Sequence, residues 1–397
     1  MSDDRLQHLL ERAGDDGRIV AEQRAWPVVQ EAFAQQRAAA PRRRVPRPLL
    51  AFAGIAVLAL IGALAVTNPG AAVAKWVRDH IVGKPGVEKS EPALTRLPGR
   101  GRMLVSATQG VWVVNPDGSR RLLRGYEGAT WSPHGLYVGA WRGHELFAVE
   151  PGGRVHWSLA RNGAIRGADW SPEGYRIAYL SGRSLRVVAG DGTGDRLLRT
   201  RVTPVAPAWK PHAPHLLAFA PRARIVEVVV TDARALAWRR AVPQRARSLA
   251  WSADGRLLAV AGRSTVTILD GGSGRMHQRI PSPHGFRVTA VAFAHAGRQL
   301  AIALTSPDGL ARAVTVNLRS PHHSRPRQLF AGAGRFSQVQ WSPDDRWVLI
   351  TWPAADQWLF LRSARVSGVS AVRDIARQFD PGVRTARFPA VADWCCG

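Results

Sequence analysis

A five-residue pattern built on tryptophan repeats along the chain at a period near 40 residues. Trp131-Ser132-Pro133-His134-Gly135 recurs as Trp170-Ser171-Pro172-Glu173-Gly174, as Trp251-Ser252-Ala253-Asp254-Gly255 and as Trp341-Ser342-Pro343-Asp344-Asp345. Degenerate copies begin at Trp209 and Phe293, and the spacings run 39, 39, 42, 42 and 48 residues. A unit of that length cannot bury its own apolar face and must stack on its neighbours, so this period implies a radial array. No other feature narrows the possible folds as far.

One period reads as short strands separated by turn residues. Residues 257–261, 265–269 and 277–280 are apolar or alternating, with Gly271-Gly272 between the last two. The Asp254-Gly255 step supplies a tight turn that needs positive φ. The tryptophan is expected between neighbouring sheets. Four-stranded units at this period describe an all-β protein, a β-propeller. Residues 103–107, 111–114 and 121–123 make three strands that lack an inner partner, and residues 383–388 are expected to supply it. Six blades that start with the motif plus this joined one give seven.

The Trp-Ser-Pro-Asp/Glu-Gly core followed by a short apolar strand resembles the TolB-like, or PD40, class of bacterial propellers over residues 103–390. It is less like the WD40 repeat, whose Gly-His and Trp-Asp dipeptides do not recur. The resemblance implies an extracytoplasmic protein-binding or cell-envelope role, and some members of the class are non-catalytic lids on peptidases.

The chain before residue 101 divides into three zones. Residues 1–48 are polar and helix-prone: Leu6, Leu9, Leu10 and Ala13 form one apolar stripe, and Trp26, Val29 and Phe33 a second. They read as a cytosolic tail with nascent helices, or as a docking segment that folds on a partner. Residues 49–66 carry no charge over 18 positions, a length of roughly 27 Å as a helix and close to the ~30 Å hydrocarbon core. Arg37, Arg42, Arg43, Arg44 and Arg47 precede this run, whereas Lys75, Arg78 and Lys84 follow it. The positive-inside rule then places the N-terminus in the cytosol and the repeat domain outside, in a single-pass cytoplasmic-membrane protein. Ala72-Val73-Ala74 offers a signal-peptide cleavage site, but the leader and the apolar run are both too long for that reading. Within 67–100, Val73, Trp76, Val77, His80 and Ile81 form the stripe of an interfacial helix. Residues 85–100 read as a linker.

Chemistry is sparse. No Gly-x-Ser-x-Gly, phosphate loop, EF-hand or Cys-x-x-Cys occurs. Gly190, Gly192 and Gly194 lie between two strands and read as a hairpin. The fourth motif position holds His134, Glu173, His212, Asp254, Ala296 and Asp344. Such a ring at one channel mouth could hold a metal or orient water, but short polar residues there more simply cap each turn. The pairs His212/His215 and His322/His323 are no stronger. No catalytic, cofactor or metal residue is assigned. Cys395 and Cys396 are adjacent, so they either close a ring together or bridge two chains.

Residues 101–397 hold 40 basic and 19 acidic residues. Outside a membrane, that surface suits anionic lipid headgroups or envelope polymers rather than nucleic acid. The loops around 319–327 and 362–380 are the longest, and long loops on a rigid scaffold commonly carry binding. Three functions remain open. The first is a non-catalytic envelope-binding module. The second is a transmembrane regulator resembling anti-sigma factors, with a cytosolic partner held by residues 1–40. The third is a lyase or hydrolase working at the channel mouth.

Overall fold

The structure is a computed structural model that describes residues 87–91, 93–319, 326–364, 368–383 and 386–396. The expected tail, membrane helix and interfacial helix lie outside the described residues, as do His322 and His323. Among the described residues no helix is long and apolar enough to cross a membrane.

Seven sheets form a propeller, six of four strands and one of five. Blade 2 illustrates the unit: Gly128–Trp131, Val138–Arg142, Glu145–Val149 and Val155–Ala160 pair in order from the inside outwards. Blades 3 to 6 repeat this order over residues 165–199, 208–241, 248–281 and 287–333. Blade 7 spans 338–372. Blade 1 joins Arg102–Ala107, Gly110–Val114 and Arg120–Arg124 to an inner strand from the far end of the chain, Ala390–Cys395.

Hydrophobic burial explains why the units exist only as a ring. Among the described residues seven buried clusters occur, each drawn from two successive blades, so no blade owns a core. The second and third strands carry most of it. Residues 257–261, for example, are buried along their whole length because both faces of the sheet are covered.

The motif has two structural jobs. Its tryptophan packs under the neighbouring blade, and in three blades it donates its indole N–H to a carbonyl there: Trp209 to Asp169 at 3.0 Å, Trp251 to Ala208 at 3.1 Å and Trp341 to Ala292 at 3.0 Å. Its serine caps the turn that follows. The Oγ of Ser132, Ser171, Ser252 and Ser342 accepts the N–H of Tyr137, Arg176, Leu257 and Trp347 at 2.9–3.0 Å.

Three expectations need correction. The ring-closing inner strand is Ala390–Cys395, not 383–388; it pairs Met103 with Trp394, the register in which Trp131 meets Val138. Trp394 therefore takes the motif position, fully buried with its indole on the Arg100 carbonyl at 3.0 Å. Cys395 and Cys396 stand where serine and proline usually follow, and they are joined to each other by a disulfide. Second, part of the stretch read as a linker is structured. Val87–Glu91 adds a fifth strand, parallel to Val369–Val372, on the outer edge of blade 7, and Leu94 and Leu97 are buried. An edge strand is held by backbone hydrogen bonds and needs no apolar alternation, which hid it. Third, the segment 362–380 is not an open loop throughout. It holds the strand Val369–Val372 and a short helix, Ile375–Phe379, whose Phe379 packs on Trp112 and Trp358.

Candidate functional site

Antiparallel order puts the turns between strands 1 and 2 and between strands 3 and 4 on one face, here the motif face. Hairpins between strands 2 and 3 and the connections between blades lie on the opposite face. The fourth-position residues all fall on the motif face, where the two aspartates act as turn caps. Asp254 and Asp344 accept their own motif serine hydroxyl at 2.7 and 2.6 Å and the N–H of Arg256 and Arg346 at 3.1 and 3.2 Å. Glu173 pairs with Arg176, His134 is exposed, and His212 takes a left-handed φ of 57° in the longer blade 4 turn. His215 pairs with Asp232 rather than with His212. Among the described residues no group of three His, Cys, Asp or Glu side chains could hold a metal. Gly190, Gly192 and Gly194 form the hairpin before Arg196–Arg199, as the sequence implies.

Turn chemistry sorts the charges. The outer hairpins of the motif face are closed by carboxylates as well. Asp117 accepts the N–H of Ser119, Asp191 that of Thr193, and Asp270 those of Gly272 and Ser273. Other acids sit inside blades as hubs for two arginines. Asp195 holds Arg161, Arg186 and the Tyr179 hydroxyl; Glu227 holds Arg199 and Arg239. Burial raises the Asp195 carboxyl, but bonds from Arg186, Tyr179 and Arg161 outweigh it and leave its pKa lowered. Burial, and then Asp195 itself, push Tyr179 up to about 12.

The opposite face of blades 3 to 5 is left without acids. Its segments 182–183, 200–207, 223–224, 242–247 and 262–264 carry Arg183, Arg201, Arg224, Arg245, Arg247 and Arg263 and no carboxylate. Among the described residues none of these six guanidiniums has an ion-pair partner, and all six are exposed. Between blades 4 and 5 the surface sinks into a cleft of about 600 Å³ lined by Arg224, Arg245, Arg247 and Arg263, with Thr203, Gln244 and Ser264 among its polar groups. Gln244 braces one wall: its Oε1 accepts the Ser264 N–H at 2.9 Å and its amide donates to Ser264 Oγ at 2.6 Å. Val205 and Ala246 form a buried apolar floor. Clustered guanidiniums with no carboxylate nearby make a strongly positive site, and their planar forks match carboxylate and phosphate groups.

Two carboxylates mark the inner strands. Asp169 and Asp393 each precede a motif tryptophan, and each accepts the backbone N–H of the next blade's tryptophan, Trp209 at 3.1 Å and Trp131 at 2.9 Å. Both keep some exposure along the inner edge of the ring yet are closely surrounded by protein. Desolvation, with the Asp393 charge adding to it, pushes Asp169 up to about 7, against the pull of the Trp209 N–H. Asp393 is raised for the same first reason, opposed by the Trp131 N–H and by His295. Their geometry is that of blade-to-blade caps.

Sequence reading gave a basic surface but neither the cleft nor the acid pair. The one visible signal was the acid-free run Gln244-Arg245-Ala246-Arg247.

No protein-family model matches the chain, and no curated protein matches it. Solved structures do. A Kuenenia stuttgartiensis hydrazine synthase chain superposes with a TM-score of 0.52 at 14% identity, over 61% of this chain and 78% of that one. The β-propeller domain of Cps50 (Swd1) from Myceliophteria thermophila gives 0.53 at 13% identity, covering 64% of this chain and 93% of that one. Hsv2 from Kluyvelomyces marxianus gives 0.53 at 9% identity, with 66% and 89% covered. At these identities the likeness establishes the propeller fold alone, which an enzyme and WD40 domains share.

Proposed function

We propose that the propeller is a non-catalytic, TolB-like binding module of the cell envelope, anchored through residues 49–66, that holds an anionic partner on the opposite face of blades 3 to 5. One observation carries this reading: six exposed arginines share that face with no carboxylate, while the acids of the same blades are committed to turns and buried hubs. A surface organised only for solubility would mix both signs. The segregation makes association electrostatic and salt-sensitive.

The test is retention of the full chain on a sulfated-polysaccharide matrix. Neutralising Arg183, Arg201, Arg224, Arg245, Arg247 and Arg263 to Gln is expected to lower the eluting salt substantially. Neutralising six exposed motif-face arginines, Arg121, Arg154, Arg256, Arg275, Arg319 and Arg346, is expected to lower it far less. Equal shifts from the two sets would sink the reading.

The transmembrane-regulator reading draws support from one feature. The strand Val87–Glu91 ties the segment leading to residues 1–86 directly onto blade 7. Crosslinked membranes carrying the full chain or a chain lacking residues 1–40 separate the two readings: a cytosolic partner lost on deletion favours the regulator.

A further inference from the structure

We infer that the cleft between blades 4 and 5 is a discrete site for a diphosphate ester, an organic body carrying two linked or closely spaced phosphoryl groups. The inference rests on the anion-binding reading and sharpens it to one place and one chemistry. Four guanidiniums line the cleft, those of Arg224, Arg245, Arg247 and Arg263. A terminal phosphoryl group carries close to two negative charges and the inner one of a diphosphate ester about one, so the ester's charge of about −3 offsets most of that of four arginines, and its oxygens are all acceptors.

The hydroxyls of the cleft point to a ligand independently of charge. Thr203 is 7% exposed, lines the cleft, and has no hydrogen-bond partner for its hydroxyl among the described residues. That hydroxyl is open to solvent at the cleft wall, where a ligand oxygen can replace water as its partner. Ser264 Oγ already accepts from the Gln244 amide, so its own proton is free to donate outward. Both groups thus ask for an acceptor, and a phosphoryl group is nothing else. The cleft is open to solvent on one side and offers about 600 Å³, room for a diphosphate with a small organic body beside it. The apolar floor of Val205 and Ala246 gives that body a surface to lie on.

The geometry of the blades makes the site specific to this pair. Thr203 and Gln244–Arg247 come from connections entering the inner strands of blades 4 and 5, and Arg224 and Arg263 from the hairpins beside them. Gln244 locks the blade 5 hairpin to the connection, so two of the walls are held before a ligand arrives. Preorganised walls reduce the ordering cost of binding.

Calorimetry on the detergent-solubilised full chain tests this with inorganic pyrophosphate as the probe and orthophosphate and sulfate as comparisons. Pyrophosphate is expected to bind at least about tenfold more tightly than sulfate. Arg245→Gln with Arg263→Gln should weaken it about tenfold or more, and Thr203→Val several-fold, whereas Arg183→Gln with Arg201→Gln, on the same face outside the cleft, should leave it unchanged. Matched melting temperatures verify that each variant is folded. A soluble nucleoside diphosphate and vesicles doped with a prenyl diphosphate then distinguish a free ligand from a lipid-borne one, and tighter binding of either than of pyrophosphate supports an organic body. If the anions bind alike and both arginine pairs weaken binding equally, the cleft proposal is overturned while salt-sensitive retention on the polyanion matrix still stands. If retention is also insensitive to the six arginines, the anion-binding reading falls as well.

Discussion

Asp345 stands where other motif turns place glycine, with a left-handed φ of 54°. The strained backbone is explained by its neighbour. In blade 6 the motif serine is replaced by Ala294, so that turn lacks its own cap, and the Asp345 carboxylate reaches across from blade 7 to accept the N–H groups of His295 at 2.7 Å and Ala296 at 2.6 Å. Asp345→Gly relieves about 1 kcal/mol of backbone strain but removes two carboxylate bonds worth about 1 kcal/mol each at exposed donors, so a net loss of about 1 kcal/mol is expected in chemical denaturation. Asp169 offers a test of sign. Its carboxyl titrates near 7 in the fold, raised above its ordinary value, so the stabilisation it gives is fully present below about pH 4 and is lost as pH rises through 7. Asp169→Asn keeps an acceptor for the Trp209 N–H and removes the buried charge. The melting temperature of that variant should exceed the parent's by more at pH 8.5 than at pH 5. An equal gain at both would show that the charge is not what opposes folding. Because Asp393 lies within its field, the two carboxyls titrate as a pair.

At the scale of elements, the repeat made the inner blades legible and disguised the last one. The strands expected at 257–261 and 265–269 appear as Leu257–Ala261 and Thr265–Asp270, since alternation and Gly turns were intact there. The final inner strand was misplaced because Phe388 lay closer to the expected spacing than Trp394, and because two cysteines replaced the serine and proline that identify the turn. The parallel edge strand Val87–Glu91 left no apolar signature at all. The cleft was illegible for another reason. Its lining comes from residues 203–205, 224, 244–247 and 263–264, which only the adjacency of two blades brings together. Blade-to-blade hubs carry a prediction of their own. Glu227 is 1% exposed and sits between Arg199 of blade 3 and Arg239 of its own blade. Glu227→Ala leaves two cations facing a void, and because both arginines are half-exposed the expected loss is about 2 kcal/mol rather than the full buried-pair value. A double variant with Arg199→Ala should recover part of it, which a thermodynamic cycle measures.

For the whole molecule, charge segregation follows from turn chemistry rather than from any one residue. Hairpins that need side-chain acceptors concentrate Asp on one face, and the remaining arginines make the other face basic in blades 3 to 5. The ring itself depends on a single strand. Removing residues 390–396 uncovers the edge of Arg102–Ala107 and strips Val391 and Trp394 from the cluster between blades 7 and 1. That truncation should abolish the cooperative thermal transition and drive self-association through the bared edge, read by scattering and calorimetry. A truncated chain that stayed monomeric with one sharp transition would mean that six blades suffice.

Pairing Met103 with Trp394 also imposes an order of events during synthesis. Blades 2 to 6 consist of consecutive residues and can take shape as they leave the ribosome. Blade 1 cannot, because its innermost strand is translated after every other strand of the ring. Until then the nascent chain is an open crescent with a bare apolar flank at each end, one on blade 1 and one on blade 7. The interval before that strand pairs is therefore when this protein is most exposed to mispairing with another copy of itself, and when a bound chaperone would do most good.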